Sequence, residues 1–266
     1  MDLMTRLFRF LAAHGEMPMA HELARSLLKT HEVDSESLAA LNESFSDILY
    51  EHERLNPAID YLMRAYESWA SLSRREALVR CAHKMAKLTS EAGRDAEALQ
   101  WTDRFLELGA EYDATVEVYR LQISVLRKLG RREAVADSFK SYLGHIERYS
   151  GNASSERASY SMLLAGFLFD SGDYPGCLKM LKQWHEHVED KRMARPFLDA
   201  NTGIVLFKLG FEDQGRQLLE SSYQLIIQDE YEDDYPVAYD EFIANLSVSV
   251  GVSSKVVPSF YECPFL

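Results

Sequence analysis

Five glycines in this chain are each followed, five residues on, by a small residue at the start of an amphipathic stretch: Gly15 with Ala20, Gly93 with Ala98, Gly130 with Val135, Gly172 with Cys177 and Gly210 with Gly215. A sixth pair, Glu53 with Ala58, keeps the frame without its glycine. Successive copies lie 38, 40, 37, 42 and 38 residues apart. A recurrence of that length is the size of one supersecondary unit, and units repeated in this way stack on one another rather than close around a single core. The feature therefore constrains architecture before any other property of the chain is considered.

Helical spacing of apolar residues on both sides of each glycine makes every unit an antiparallel helix pair. The expected pairs are 2–14 with 17–30, 35–52 with 56–71, 73–91 with 94–108, 112–129 with 132–149, 154–171 with 174–189, and 195–209 with 212–228. A thirteenth helix, 236–249, would follow and present Tyr239, Phe242, Ile243 and Leu246 on one side as a cap. Prolines test this layout, because one inside a helix costs about 3 kcal/mol while one in the first turn costs little. Pro18, Pro57 and Pro175 fall at the openings of second helices, with Asn56 and Asp173 as expected N-caps, and Pro196 and Pro236 open later helices. Nothing alternates with period two for long enough to make a sheet, so the expected fold is all-α: an α-solenoid of about six helical hairpins plus a C-terminal capping helix. Residues 1–250 read as one domain with a possible hinge near 149–155, and 251–266 as a non-helical apolar tail.

Composition narrows the function classes. The chain has 266 residues, 47% of them hydrophobic, which is ample for a folded body without disulfides. Cys81, Cys177 and Cys263 lie far apart and form no metal-ligand spacing, so neither a disulfide framework nor a zinc site is expected. The net charge of −13, weighted toward residues 134–266, would repel a phosphate backbone. No nucleic-acid partner is therefore expected, and the acidic run Asp229-Glu-Tyr-Glu-Asp-Asp234 reads as a solvated loop. No apolar window approaches the roughly 18 residues of a membrane span, and the N-terminal segment reads as a structural helix, not a targeting signal. A cytoplasmic location with no membrane partner is the expectation. The sequons starting at Asn42, Asn152 and Asn245 carry little weight in such a compartment.

The best-preserved copy, Leu164-Ala-Gly-Phe-Leu-Phe-Asp-Ser-Gly-Asp-Tyr-Pro-Gly-Cys-Leu-Lys-Met-Leu181, resembles the tetratricopeptide repeat. His14-Gly-Glu-Met with Ala20, Ala92-Gly-Arg-Asp with Ala98, Leu129-Gly-Arg-Arg with Phe139, and Leu209-Gly-Phe-Glu with Leu219 repeat parts of it. The resemblance covers roughly residues 1–228, in a variant longer than the family's usual period of about 34 residues. Repeats of this longer kind are similar to the sensor and scaffold solenoids of bacterial regulators, such as peptide-responsive regulatory proteins and the sugar-sensing repeat domain of large transcription activators. The resemblance implies a superhelix whose first helices line a concave face. With the turn glycine as repeat position 15, the inward positions 2, 5, 9 and 12 give Arg80, His83 and Lys87 in the third repeat, then Glu117, Arg120 and Arg127 in the fourth. In the fifth and sixth repeats they give Met162, Phe169, Phe197, Ile204 and Phe207.

Such a strip, basic and then apolar, suits an extended or helical segment carrying carboxylates and bulky apolar anchors. The alternative is that its apolar members pack between repeats and its basic ones are merely solvated. Family members that clamp chaperone tails use a lysine and two asparagines where this chain has Thr5, Arg9, Glu43, Asp47, His83 and Lys87, so that activity is not implied. The tail from Val256 to Leu266 either folds back on the last apolar face or engages another molecule, and Cys263-Pro-Phe-Leu266 has the bare spacing of a prenylation signal with unsuitable middle residues.

Catalytic patterns are absent: no Gly-rich phosphate loop, nucleophile elbow or zinc-protease helix motif occurs. His185 and His187, two apart, point to different helix faces. Cys81 and Cys177 read as buried inert thiols, and Trp69, Trp101 and Trp184 as core staples. The expectation is a non-enzymatic protein-protein interaction module, an adaptor, chaperone or assembly factor, that needs no cofactor or metal and takes a protein or peptide partner; a homodimer is possible. The alternative is a ligand- or peptide-sensing regulator that switches by changing superhelix pitch.

Overall fold

A computed structural model describes residues 34–109, 112–149, 154–188 and 191–228, together with Phe10, His14, Pro18, Met19, Glu22 and Ser26. The helix expected at 236–249, the tail, the acidic run, Asn152, Asn245, Cys263 and most of the first expected hairpin lie outside the described residues. The described residues form α1 Ser35–Glu51, α2 Leu55–Ser71, α3 Arg75–Glu91, α4 Asp95–Leu108, α5 Tyr112–Lys128, α6 Arg132–Tyr149, α7 Ser154–Asp170, α8 Tyr174–His187, α9 Lys191–Lys208 and α10 Glu212–Gln228. Among them there is no strand.

The chain divides into two compact units, Met1–Ser138 and Phe139–Leu266. The expected hinge near 149–155 falls largely on residues 150–153, outside those described. In the first unit α1 packs on α2, α2 on α3, α3 on α4, and α5 on both α4 and α3. Its core is built from Phe45, Ile48, Leu62, Trp69 and Met85, with a smaller cluster of Ala82, Phe105 and Val118. In the second unit α7 packs on α8, α8 on α9 and α9 on α10, around Met162, Leu181, Trp184, Phe197, Ile204 and Leu219. Trp69 and Trp184 are buried, while Trp101 is half-buried, edge-on to Tyr66 with ring centroids 4.9 Å apart.

One turn is used six times among the described residues. After α1, the N–H of Glu53 donates to the Tyr50 carbonyl and that of Arg54 to the Leu49 carbonyl, which together satisfy two of the helix's last carbonyls. The same pair of bonds closes α2 at Ser73 and Arg74, α3 at Gly93 and Arg94, α5 at Gly130 and Arg131, α7 at Gly172 and Asp173, and α9 at Gly210 and Phe211. The pivot residue needs positive φ, which runs from 54° at Ser73 to 87° at Gly210. Glycine adopts that conformation without a Cβ clash, so the recurring glycine is the mark of this turn. Glu53 and Ser73 perform it with a side chain. The turn after α2 joins one hairpin to the next, and α1 to α4 begin at 35, 55, 75 and 95, so the first unit carries a 20-residue half-period inside the hairpin repeat.

The small residue five after the pivot marks a close helix crossing. Within the last hairpin, a Cβ placed on Gly203 or on Gly215 would lie 2.7 Å from the other's carbonyl oxygen. The corresponding pairs Ala86 with Ala98 and Ala165 with Cys177 are fully buried. Two expectations are corrected. Helix α9 starts at Lys191, so Pro196 sits inside it rather than opening it. Its ring falls in the second turn, where the single missing N–H affects only the carbonyl of Arg192, and Ser222 Oγ donates to the Pro196 carbonyl at 2.8 Å. The other correction is Asn56, which lies within α2 and is not its N-cap; the cap is Arg54, without a side-chain bond. Asp173 does cap α8, accepting from Gly176 N–H at 3.0 Å.

Candidate functional site

Polar bonds in the first unit repeat with the period of the sequence. Arg74 reaches back 38 residues to Glu36, Arg80 37 to Glu43, Lys84 37 to Asp47, Arg94 38 to Asn56, and Arg104 38 to Tyr66. A nearly constant offset along successive first helices means that α1 and α3 run parallel and side by side. Lys128 of α5 lies 3.9 Å from Asp95 at the start of α4, which makes α4 and α5 antiparallel and α5 parallel to α3. The face formed by α1, α3 and α5 is where the sequence places the basic part of the binding strip.

At its α1 edge the charges are consumed internally. The Arg80 guanidinium grips Glu43 through two bonds, Nε to Oε1 at 2.6 Å and Nη2 to Oε2 at 2.9 Å. Lys84 Nζ donates to Glu43 Oε1 at 3.1 Å and to both oxygens of Asp47 at 2.7 and 2.8 Å. Only 9% of the Glu43 side chain is exposed. Burial alone would raise its pKa, but the hydrogen bond from Arg80 and the Lys84 charge outweigh it and hold the carboxyl below its ordinary value. The bond to Glu43 raises Arg80, while for Lys84 burial is outweighed by the hydrogen bond to Asp47 and the charges of Glu43 and Asp47, which raise it.

Further along, His83 Nε2 lies 3.0 Å from Glu117 Oε2, with its ring 5.8 Å from that of Phe105. Lys87 is exposed and holds its Nζ 5.5 Å from the ring centre of Tyr50, whose hydroxyl donates to Glu91 Oε1 at 3.1 Å. Arg120 is half-buried and makes no hydrogen bond or ion pair among the described residues. Arg127 is half-buried and engaged with neighbours. Thus of the basic residues expected at the site, Arg80 is neutralised by a carboxylate and His83 has one as its neighbour, while Lys87 and Arg120 have no carboxylate partner among the described residues.

The apolar residues divide differently. Met162, Phe197 and Ile204 are at most 1% exposed and belong to the second unit's core, so their inward position is inter-helix packing and not an open surface. Phe169 and Phe207 are half-buried against that core, and Phe169 meets the Tyr174 ring at 5.6 Å. The exposed large apolar residues among those described are instead Phe10, Met19, Tyr149 and the pair Leu209 and Phe211 that flanks the α9 turn.

Among the described residues no group of three His, Cys, Asp or Glu is placed to hold a metal ion, and no helix is long and apolar enough to cross a membrane. Cys81 and Cys177 are buried free thiols pushed up to about 12 by burial, so neither supplies a thiolate nucleophile near neutral pH. Asp103, raised by its burial, accepts from Gln122 Nε2 at 2.7 Å, and Gln122 Oε1 accepts from Ser138 Oγ at 2.7 Å. This chain of bonds ties α4, α5 and α6 together.

Lys84, at repeat position 6, was invisible to a frame restricted to positions 2, 5, 9 and 12. Glu43 and Asp47 were assigned inward positions, but their role as counterions was missed. Advancing each by 37 residues would have found Arg80 and Lys84.

Parallel first helices, shared turns and small crossing residues define a tetratricopeptide-like helical-repeat protein. No protein-family model matches the sequence, and no curated protein matches it. Solved structures do. BtubC (BKLC) from P. vanneervenii superposes with a TM-score of 0.61 at 15% identity, over 81% of this chain and 90% of its own. The apo form of the quorum sensor NprR from B. thuringiensis gives 0.62 at 13% identity, over 95% of this chain and 71% of its own. YrrB, a TPR protein with an unusual peptide-binding site, gives 0.52 at 17% identity, over 78% and 95%. The chain shares their fold.

Proposed function

We propose that this chain is a non-enzymatic protein-interaction module, an adaptor, chaperone or assembly factor, that holds a peptide or partner segment against the α1, α3 and α5 face of its first unit. The observation that carries this reading is Arg120, a half-buried cation with no hydrogen bond or ion pair among the described residues, on a face where Arg80, Lys84 and His83 each have a carboxylate neighbour. An arginine kept part-buried and unpaired contributes little to folding and is available to a second molecule. The fold likeness to a TPR protein with a peptide-binding site supports the same reading. The half-buried Phe169 and Phe207 of the second unit serve as separate apolar contacts. The acidic balance disfavours nucleic acid, and the buried free thiols suit a reducing cytoplasm.

The test is capture of partners by the tagged full chain, with Arg120→Glu and Phe207→Ala assayed singly. A stoichiometric protein lost with Arg120→Glu is the expected result, and size-exclusion of the same preparations reads out the homodimer. A partner indifferent to both variants would overturn the placement. Capture of nothing would favour the sensor reading, to which the likeness to apo NprR lends support.

A further inference from the structure

The turn after α1 differs from its counterparts in two ways. Its pivot is Glu53, held at a φ of 57° where Gly93, Gly130, Gly172 and Gly210 stand after α3, α5, α7 and α9. It also opens into a cavity of about 460 Å³, lined by residues 53–57 of the turn and the start of α2, and by Glu91 and Ala92 at the end of α3. That volume falls within the range of small-molecule pockets, about 300–1,000 Å³. The cavity belongs to the first unit and sits at the turn end of α1 and α3. Along α1 it begins about 12 Å beyond Glu43, at a rise of about 1.5 Å per residue.

Its walls carry charges of both signs. The Arg54 guanidinium and the Glu53 carboxylate are exposed, and neither makes a hydrogen bond or ion pair among the described residues. Glu91 is fixed from one side, where the Tyr50 hydroxyl donates to its Oε1 at 3.1 Å, and its Oε2 has no partner among the described residues. Asn56 is fixed as well, its Oδ1 accepting from Arg94 Nη2 at 2.7 Å. Helix α2 starts without a capping side chain and Pro57 has no N–H, so the N–H groups of Leu55 and Asn56 are left to an acceptor from outside the helix. Half-buried Leu55, Pro57 and Ala92 add apolar surface. Such walls discriminate by charge. An anion alone meets two carboxylates, and a cation alone meets Arg54 and the positive end of α2. A molecule bearing both charges a few bonds apart has a partner for each.

We infer that this cavity binds a small zwitterion, a free α-amino acid or a dipeptide. Its carboxylate is received by Arg54 and the N–H groups of Leu55 and Asn56, its ammonium by Glu53 and Glu91, and its side chain by Leu55, Pro57 and Ala92. Glu53 supplies its carboxylate at a backbone cost that glycine would not carry. The site uses none of the groups assigned to the α1, α3 and α5 face, so it stands or falls separately from the interaction-module reading.

Thermal unfolding of the full-length chain tests it, with each common free amino acid and a panel of dipeptides added at millimolar concentration. A ligand that binds only the folded state raises the midpoint, and at least one member of the two sets is expected to do so in the wild type. The N-acetyl and amide derivatives of that ligand, each lacking one charge, should bind about tenfold more weakly in titration calorimetry. Glu53→Gly and Arg54→Gln should each abolish the shift. Glu53→Gly is the decisive variant, because a glycine pivot should raise the midpoint without ligand while removing the effect of ligand, a combination that loss of folding cannot produce. The set that contains the binder tells a free amino acid from a dipeptide. Equal binding of the N-acetyl and amide derivatives, or stronger binding of a simple diamine or dicarboxylate, would overturn the zwitterion assignment. A shift that survives both variants would overturn the location, and no shift of the folded wild type with any ligand would overturn the site itself.

Discussion

Glycine at the turn pivots can be tested without disturbing any packing. A Cβ added at Gly93, Gly130, Gly172 or Gly210 meets nothing within 4 Å, so alanine there probes the backbone alone. An L-residue held in the left-handed region costs roughly 1–2 kcal/mol. Removing glycine returns about 0.4–1 kcal/mol through the unfolded state. Gly93→Ala should therefore destabilise the first unit by about 1 kcal/mol, and the reverse changes Glu53→Gly and Ser73→Gly, at φ 57° and 54°, should each stabilise it by about 0.5–1 kcal/mol. Both side chains are exposed, so little contact is lost. The two pivots lie at opposite ends of α2, about 25 Å apart at about 1.5 Å per residue, and their effects should add to about 1–2 kcal/mol. Urea unfolding followed by far-ultraviolet circular dichroism should show the double variant with a raised midpoint at unchanged m, and Gly93→Ala with a lowered one. A double variant no more stable than wild type, with Gly93→Ala neutral, would refute the argument that left-handed strain is stored at these turns.

Three further outcomes follow from other contacts. Gly215→Ala places a methyl group 2.7 Å from the Gly203 carbonyl oxygen and from Phe207 Cδ2, forcing α9 and α10 apart. A loss of about 1–3 kcal/mol is expected, with Gly144→Ala, which meets nothing within 4 Å inside α6, as a neutral or stabilising control; equal midpoints for the two would contradict it. Glu43 has its folded pKa depressed below 4.5, so its pairing contributes stability fully above that value and loses it as pH falls through the lower folded value. The stability gap between wild type and Glu43→Gln should accordingly shrink on acidification in calorimetry, and a gap independent of pH would show that the pair contributes nothing through ionisation. In a Cys263→Ser background, Cys81 and Cys177 should react with a disulfide reagent at pH 8 only after denaturation, since burial pushes both thiols up to about 12; rapid native labelling would be inconsistent with that burial.

Helix boundaries were legible because one local structure recurs. The turn demands glycine at its pivot and a small residue where the two helices cross, and both demands leave marks in sequence at fixed spacing. Glu53 showed only half of this signature and Ser73 none of the glycine part, yet both carry the same hydrogen bonds. The 20-residue half-period was consequently missed, although His52-Glu-Arg, Leu72-Ser-Arg and Ala92-Gly-Arg share the arginine that follows the pivot. Pro196 misled for a related reason. A proline is tolerated wherever one lost hydrogen bond is cheap, and the second turn of α9 is such a place.

The binding face was less legible, because inward position does not decide whether a side chain is available. Position 2 holds Arg80, paired with Glu43 of α1, and also Phe197, buried in the core, so the same repeat position can end as an ion pair or as packing. What separates them is the residue that the neighbouring helix supplies one period away, a relation between two sites and not a property of either. The same relation makes Glu43 a regulator of the face's charge. Replacing it with glutamine frees the Arg80 guanidinium, about half exposed, from its carboxylate and leaves Lys84 with Asp47 alone. Glu43→Gln should bind carboxylate-bearing peptides more tightly than wild type while being less stable. The opposite signs of these two changes are what separates a charge effect on the face from loss of folded protein, which would lower both together. Unchanged or weakened affinity of the folded Glu43→Gln protein for carboxylate-bearing peptides, set against their amide isosteres, would mean that the charge of this face does not govern what it holds.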